Sequence, residues 1–416
     1  MDEWSYGRPA DMLSVEEAQE KILSRIEPLA PIELPLTDAF GCVLAEDLRA
    51  PTDLPAFPSS AMDGFAVRAA DVGGAGESSP VFLRVVGSAE IGKKPKGVVG
   101  PGEGMRIATG APIPVGADAV VPVEEARATE DGVEVLRPAP PARHLRPAGE
   151  DVRTGEVLVP AGRRIGAPEL GLLASAGLPR LPVHPRPRVV VVSTGDELVE
   201  PGRPLAFGQI HESNGYTLVG CLKEAGAQPS LAGTVPDDPE KLMEEVVSHL
   251  ATADVFISTG GVSVGERDPV KAAFRDRGQV VFYRAAMQPG MPQAFGIIDG
   301  KPFFGLPGNP VSVFVSFEVF VRPALMKMMS RRELFRPQLT ARLDSNVPGK
   351  HDKTVFARVR VKRSGGGWTA TPTGGRGSNL MSTVVRANGL AVVPAGVTSL
   401  PAGAECRVAV FRSLEE

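Results

Sequence analysis

The chain has 416 residues, too many for one ordinary hydrophobic core, so two to four domains are expected. It is 43% hydrophobic and 23% charged, as in water-soluble globular proteins, and its 47 glycines and 40 prolines imply many turns and short strands rather than disorder. The net charge of −4 argues against a broad basic face for nucleic acid but not against a small anion site, which needs only a few local donors.

Cys42, Cys221 and Cys406 lie far apart without C-x-x-C spacing, so neither a zinc site nor a disulfide framework is implied and a reducing compartment is expected. The first residues, MDEWSYGRPADM, are polar and lack an apolar signal core, and no apolar run reaches the ~20 residues needed to cross a bilayer. A cytoplasmic protein without membrane contact is the expectation.

In chain order, Ser14 to Glu27 reads as a helix. Ser14 and Glu17 form a capping box, Val15, Ala18, Ile22 and Ile26 share one face, and Pro28 and Pro31 stop it. Residues 48–142 then become rich in Gly and Pro with short β-like runs, among them 81–86, 119–123 and 133–136. A short helix over 167–176 is closed by Gly177. This order suggests a mixed domain, 1–47 and 143–185, interrupted by an inserted β-rich module over 48–142.

Residues 186–332 alternate strand and helix. The continuous apolar run 188–193 fits a parallel strand covered on both faces. Helices are expected over 214–225, with Ser213 as N-cap and Gly226 as stop, and from Asp238-Pro239, with Asp as cap and Pro at the first position. Runs 255–258, 280–284 and 303–306 supply further strands. The pattern implies a doubly wound α/β domain, whose ligands bind beyond the carboxyl ends of the strands. From 333 to 416 the pattern is all-β, with Val355, Ala357, Val359 and Val361 on one side of a strand and Gly365-Gly366-Gly367 as a hairpin turn, which fits a small barrel or sandwich.

Three strand ends in the α/β part carry unusual loops: Thr194-Gly195-Asp196-Glu197, a run from Thr259 to Asp268 that opens Gly260-Gly261 and contains Ser263, and Pro307-Gly308-Asn309. Glycines let a backbone approach a ligand closely, and free N–H groups near helix starts favour anions. Asp196, Glu197, Asp237 and Asp268 would surround that cleft, an arrangement that makes sense beside a phosphate if a divalent cation bridges them. No P-loop, dinucleotide fingerprint, H-E-x-x-H or G-x-S-x-G is present, which argues against the common nucleotide, zinc-protease and serine-hydrolase chemistries. The five histidines do not cluster and read as surface or structural.

The loops resemble the molybdopterin-binding domain shared by the MoeA and MogA families, through STGDEL (193–198), SNGYTLVG (213–220), STGGVSVGERD (258–268) and GLPGNPVS (305–312). SSAMDGFAVR (59–68), ATGAPIP (108–114), RPAGEDVRTG (146–155) and the run from GRGSNLMS to RANGLAVVPAG (375–396) look like signatures of the MoeA family, which includes the E domain of gephyrin. The resemblance covers almost the whole chain in order and implies a molybdopterin molybdenumtransferase. Such an enzyme receives adenylylated molybdopterin, accepts molybdate, hydrolyses the pterin–AMP link with Mg²⁺ present, and releases molybdenum cofactor and AMP.

The resemblance also implies a homodimer with transient contacts to a MogA-type adenylyltransferase and to apo-molybdoenzymes. It assigns Asp63, Glu197, Asp237 and Asp268 to catalysis, the last three also to the metal. Thr109, Thr194, Gly195, Gly260, Gly261, Ser263, Pro307, Gly308, Asn309, Arg358 and Ser378 are assigned to substrate, with Asp63 and Thr109 reaching the cleft from the partner subunit. Read without the family, Arg358 would pass for a solvent-facing strand residue and Asp63 for a turn residue.

One departure matters. Where many relatives carry two lysines in a K-P-G-K-P loop, associated with molybdate, this chain has Gln288 and Met291, so the charge is gone and only the Gln amide can donate. Arg284 and Arg267 are the candidate compensating cations. The alternatives are a non-catalytic pterin or cofactor carrier, a tungstate-using paralogue, a scaffold role, or an adenylylating enzyme of the MogA type; the inserted module and the C-terminal β domain speak against the last.

Overall fold

The computed structural model describes residues 12–260 and 278–414. Two compact units emerge, one taking in residues up to 32, 41–43 and from 182 onward, the other 33–40 and 44–181.

The second unit is built on a six-stranded sheet in the order 119–122, 64–67, 103–107, 81–89, 132–135, 126–128. Strict alternation explains how it is filled: Phe65, Val67, Leu83 and Val121 enter one apolar cluster, while Ala66, Met105 and Val120 enter another. Both faces are therefore covered, consistent with side chains that point to opposite faces at successive positions.

In the first unit the helix Val15–Leu23 begins with the expected capping box, Ser14 Oγ accepting from Glu17 N at 3.1 Å and the Glu17 carboxylate accepting from Ser14 N at 2.8 Å. It ends before the prolines, because Arg25 N and Ile26 N donate to Ile22 O and Leu23 O, tightening the last turn. Val15, Ala18, Ile22 and Ile26 nonetheless all enter one core.

The central sheet runs 228–235, 188–194, 255–259, 301–306, 292–298, 278–284. The first four strands are parallel; the last two are antiparallel. Val189, Val191 and Ile257 pack into one core with the helix Asn214–Ala225, and Val190, Val192 and Phe256 into another with the helix Pro239–Ser248. Two strands escape the sequence pattern, Gln228–Val235, broken by Pro229 and Gly233, and Pro292–Ile298, which opens on Pro and Gln. Asp238 caps its helix as expected, accepting from Glu240 N at 2.8 Å and Lys241 N at 3.3 Å. Ser213 does not: it holds the cap position, but its side chain makes no capping bond, and Glu212 Oε1 takes the Gly215 N–H instead at 2.8 Å. Gly226 closes that helix in a left-handed conformation with φ 90°.

The C-terminal part closes into a five-stranded barrel: 338–343 pairs with 367–372, that with 354–364, then 389–393, 405–410 and back to 338–343. Gly365 and Gly366 turn the hairpin with φ 57° and 85°. Val359 and Val361 fill the barrel, with Val355 and Ala357 packed against the same cluster. Phe356, facing the other way, enters the α/β core, which seats the barrel on that domain.

Candidate functional site

Strand register brings the predicted loops to one edge. Ser193 pairs with Thr259 and Thr259 with Leu306, so the residues after each emerge together. Gly260 N donates to Leu306 O at 3.2 Å, and Gly195 N donates to Val235 O at 3.2 Å, which draws in the segment that carries Asp237. Gly260 must be glycine: its φ is 87° and a Cβ there would sit 2.2 Å from Thr194 O. Asn214 stitches the edge, its amide donating to Thr259 Oγ1 at 3.0 Å and to Gly308 O at 2.7 Å, while Thr259 Oγ1 donates to Pro307 O at 3.1 Å. Thr194, Gly195, Gly260, Pro307 and Gly308 are thus brought together, and Glu212, Asn214 and Thr259 join them. Asn214 Oδ1, Glu212 Oε2 and Ser258 Oγ are buried here without a hydrogen-bond partner among the described residues. Buried polar atoms of this kind are rare in a finished fold and call for a ligand, water or neighbouring loop.

The edge is acidic. Asp237 reaches solvent, yet its pKa is raised, first by partial burial and then by repulsion from Glu197 and Asp196. The Thr194 hydroxyl beside it pulls the other way, although it makes no hydrogen bond of ordinary geometry. Predicted residues Gly261, Ser263 and Asp268, and Arg267 with them, lie outside the described residues. Among the described residues no three acidic, His or Cys side chains surround one point. Glu197 adds to the rise in the Asp237 pKa by like-charge repulsion, and no cation among the described residues is a cause that offsets it.

One cavity meets the Pro307 loop, and a second adjoins the first. The larger, of about 400 Å³, is lined by Pro307, Asn309 and Ser378 among others, and the smaller, of about 220 Å³, by Arg358; Gln288, Pro289 and Arg376 line both. Ser378 O accepts from Val311 N at 2.9 Å, which ties its loop to the helix Pro310–Ser316. Arg358 is only 7% exposed, which corrects the reading of a solvent-facing strand residue. Its Nε donates to Thr383 Oγ1 at 3.1 Å and its Nη2 to Gly375 O at 2.6 Å and Gly377 O at 3.4 Å. Burial holds its pKa below the ordinary arginine value, and no carboxylate among the described residues pairs with it. Of the two cations expected to make good the missing lysines, Arg267 lies outside the described residues. Arg284 does not line either cavity, whereas Lys353 lines the larger one and Arg376 both.

In the other unit Asp63 and Thr109 meet. Thr109 N and Oγ1 donate to Asp63 Oδ1 at 2.7 and 3.1 Å, and these two bonds hold the Asp63 carboxyl below the usual range. The turn is fixed by Gly64, where a Cβ would lie 2.0 Å from Val121 O.

Sequence reading missed Glu212, Lys353 and Arg376 as site residues. Asn214 and Arg376 both stood inside quoted motifs, but nothing in a motif's text says which of its side chains meets a cavity.

Comparison with known proteins accounts for this arrangement. Residues 13–177 match the MoeA N-terminal region (domain I and II), 190–327 a probable molybdopterin binding domain, and 340–411 the MoeA C-terminal region (domain IV). Molybdopterin molybdenumtransferase 2 of Mycobacterium tuberculosis is 41% identical over 404 residues, covering 95% of this chain and 99% of that protein. The molybdopterin molybdenumtransferase of Haemophilus influenzae is 34% identical over 407 residues, covering 97% and 100%. In solved structures, the molybdopterin biosynthesis MoeA protein from Pyrococcus horikosii superposes with a TM-score of 0.82 at 34% identity, covering 97% of this chain and 100% of that one. With its sequence matched in order from end to end and its fold shared at that level, the chain belongs to the MoeA family.

Proposed function

We propose that the protein inserts molybdenum into adenylylated molybdopterin and releases AMP, the last step of molybdenum cofactor synthesis. The observation that carries the reading is Arg358, a buried guanidinium without a carboxylate partner among the described residues, at the wall of a cavity that shares Gln288, Pro289 and Arg376 with the one reaching the Pro307 loop. A buried charge left without a counter-ion is expensive, and an anionic substrate supplies one. Molybdate and the pterin phosphates are such anions.

The reading takes the chain as four parts: a mixed domain (1–47 and 143–185), an inserted module (48–142), the molybdopterin-binding α/β domain (186–332) and the C-terminal barrel (333–416). In it Glu197, Asp237 and Asp268 would hold Mg²⁺, which would supply positive charge to offset the phosphate and would lower the pKa of a bound water. Thr194, Gly195, Gly260, Gly261 and Ser263 offer donors to the substrate from the strand ends, with Pro307, Gly308 and Asn309 shaping the floor. Arg358 and Ser378 meet the oxyanion, Arg358 through fixed N–H groups that need no reorganisation as charge develops. Asp63 and Thr109, already joined by two hydrogen bonds, complete the cleft from a second subunit of a homodimer. The reading places the enzyme in the cytoplasm, receiving substrate from a MogA-type adenylyltransferase and passing product to apo-molybdoenzymes. No described helix is long and apolar enough to cross a membrane.

A single-turnover assay tests this. Protein is mixed with adenylylated molybdopterin, Mg²⁺ and graded molybdate or tungstate, and AMP and active cofactor are followed. Oxyanion-dependent AMP release that Glu197→Gln or Asp268→Asn abolishes supports the reading. Tight pterin binding without stimulated release refutes it and leaves a carrier in its place.

A further inference from the structure

Resting on that reading, we propose that Lys353 and Arg376 hold the tetrahedral oxyanion in the larger cavity, in place of the lysines that the 287–292 loop lacks. Gln288 and Met291 both line that cavity, so the loop presents an amide and a thioether but no charge. Lys353 and Arg376 line the same cavity, and no Asp or Glu does among the described residues. The adjoining smaller cavity adds Arg358 and Lys350, again with no acidic side chain on its described wall. Among the described residues the carboxylate paired with Lys353 is Asp352, at 3.8 Å and largely exposed, which neutralises little in water.

Both cations are placed by the fold rather than by chance. The Met287–Gln288 strand runs parallel to the start of the 354–364 strand, with Met287 opposite Thr354 and Gln288 opposite Val355. Lys353 is therefore one residue before the register that fixes the loop, although 65 positions separate it from Gln288 in sequence. Arg376 sits between Gly375 and Gly377, whose carbonyls both accept from Arg358 Nη2. Its backbone is thus clamped on each side by the buried guanidinium, while its own side chain stays exposed and available. A forked guanidinium and a mobile ammonium, with the Gln288 amide and the Ser378 hydroxyl beside them, match a tetrahedral dianion: the fork takes two oxygens, the ammonium a third.

The test is equilibrium dialysis of molybdate against wild-type protein, Lys353→Gln, Arg376→Gln, the double variant, and Arg376→Gln carrying Gln288→Lys, with melting temperatures taken in parallel. Each single change is expected to weaken molybdate binding about tenfold and the pair about a hundredfold. Gln288→Lys should recover most of the Arg376→Gln loss, because it returns a cation to the same cavity. Lys362→Gln, exposed on the barrel strand and outside both cavities, should bind molybdate as wild type does. Tungstate should follow the same order of variants.

Unchanged molybdate affinity in Lys353→Gln and Arg376→Gln overturns the assignment, as does a loss that tracks melting temperature alone. AMP release separates this from the functional reading. Release whose half-saturating molybdate does not move in either variant discards the two cations and keeps the insertase. Variant-dependent molybdate binding with no release by the wild type keeps the two cations and discards the insertase.

Discussion

The two edges of the central sheet carry aspartates in opposite electrostatic states. At the edge where strands 188–194 and 255–259 begin, Asp254 receives Arg188 N and Nε on one oxygen, at 2.8 and 3.1 Å, and Nη2 on the other at 2.8 Å. Burial alone would raise its pKa, but the Arg188 hydrogen bonds outweigh it and the carboxyl lies below the ordinary value. At the far edge, where the same strands end, the Asp237 pKa is raised by partial burial first and then by its neighbours Glu197 and Asp196. One acid is satisfied by the fold; the other, among the described residues, has like charges for neighbours. Charges matched so well at one edge, and unmatched among the described residues at the other, make the second edge the candidate ligand site.

Neutralising the unmatched acid is the strongest way to break this comparison. Asp237→Asn should lower the single-turnover rate by at least about a hundredfold if it holds the cation that the reaction uses. The same change should leave the denaturation midpoint at neutral pH where it is or raise it, because a carboxylate with a raised pKa opposes folding when ionised. A variant that keeps its rate, or loses stability instead, would make Asp237 a structural residue and erase the contrast between the edges. Next in size is Gly260→Ala, which attacks the backbone of the functional edge. With φ at 87° and the new Cβ driven against Thr194 O, a loss of about 2–3 kcal/mol is expected in urea unfolding, together with weaker pterin binding.

The sheet edge was legible in the sequence and the cavities beside it were not, for a physical reason. Strand periodicity fixes where a buried run such as 188–193 ends, and ligands gather beyond those ends in any parallel sheet, so loops at 194, 260 and 307 could be set side by side without coordinates. The barrel was legible as β structure from its alternation and its Gly365-Gly366 turn. The larger cavity draws on segments near 288, 309, 353 and 377; a short parallel pairing, Met287–Gln288 with Thr354–Val355, joins the first and third, and the Val311 N to Ser378 O bond the other two, and no local pattern announces either. Arg284 is near Gln288 in sequence, whereas Lys353 is near it in register. Arg358 could be assigned from family resemblance, but its burial could not, since an Arg between Ala357 and Val359 reads as the exposed position of a strand. Ser213 misled in the same way. It has the right residue type for a cap, and Glu212, one step earlier and buried, takes the N–H.

The smallest expected effect belongs to the satisfied edge, and pH gives it a sign. Asp254→Asn should cost about 1 kcal/mol at neutral pH, since it loses the charge on a forked pair whose arginine is half-exposed, and should leave turnover unaffected. A carboxyl whose folded pKa lies below its unfolded value stabilises the fold above the unfolded pKa, about 3.9, and loses that contribution as pH falls through the folded value. Urea midpoints of wild type and Asp254→Asn, measured from pH 7 downward, should therefore stay apart to about pH 5 and draw together below it. A gap that does not narrow with acid would show that Asp254 acts through its shape and neutral hydrogen bonds, not its charge, and the two edges would then differ in packing rather than in how their charges are matched.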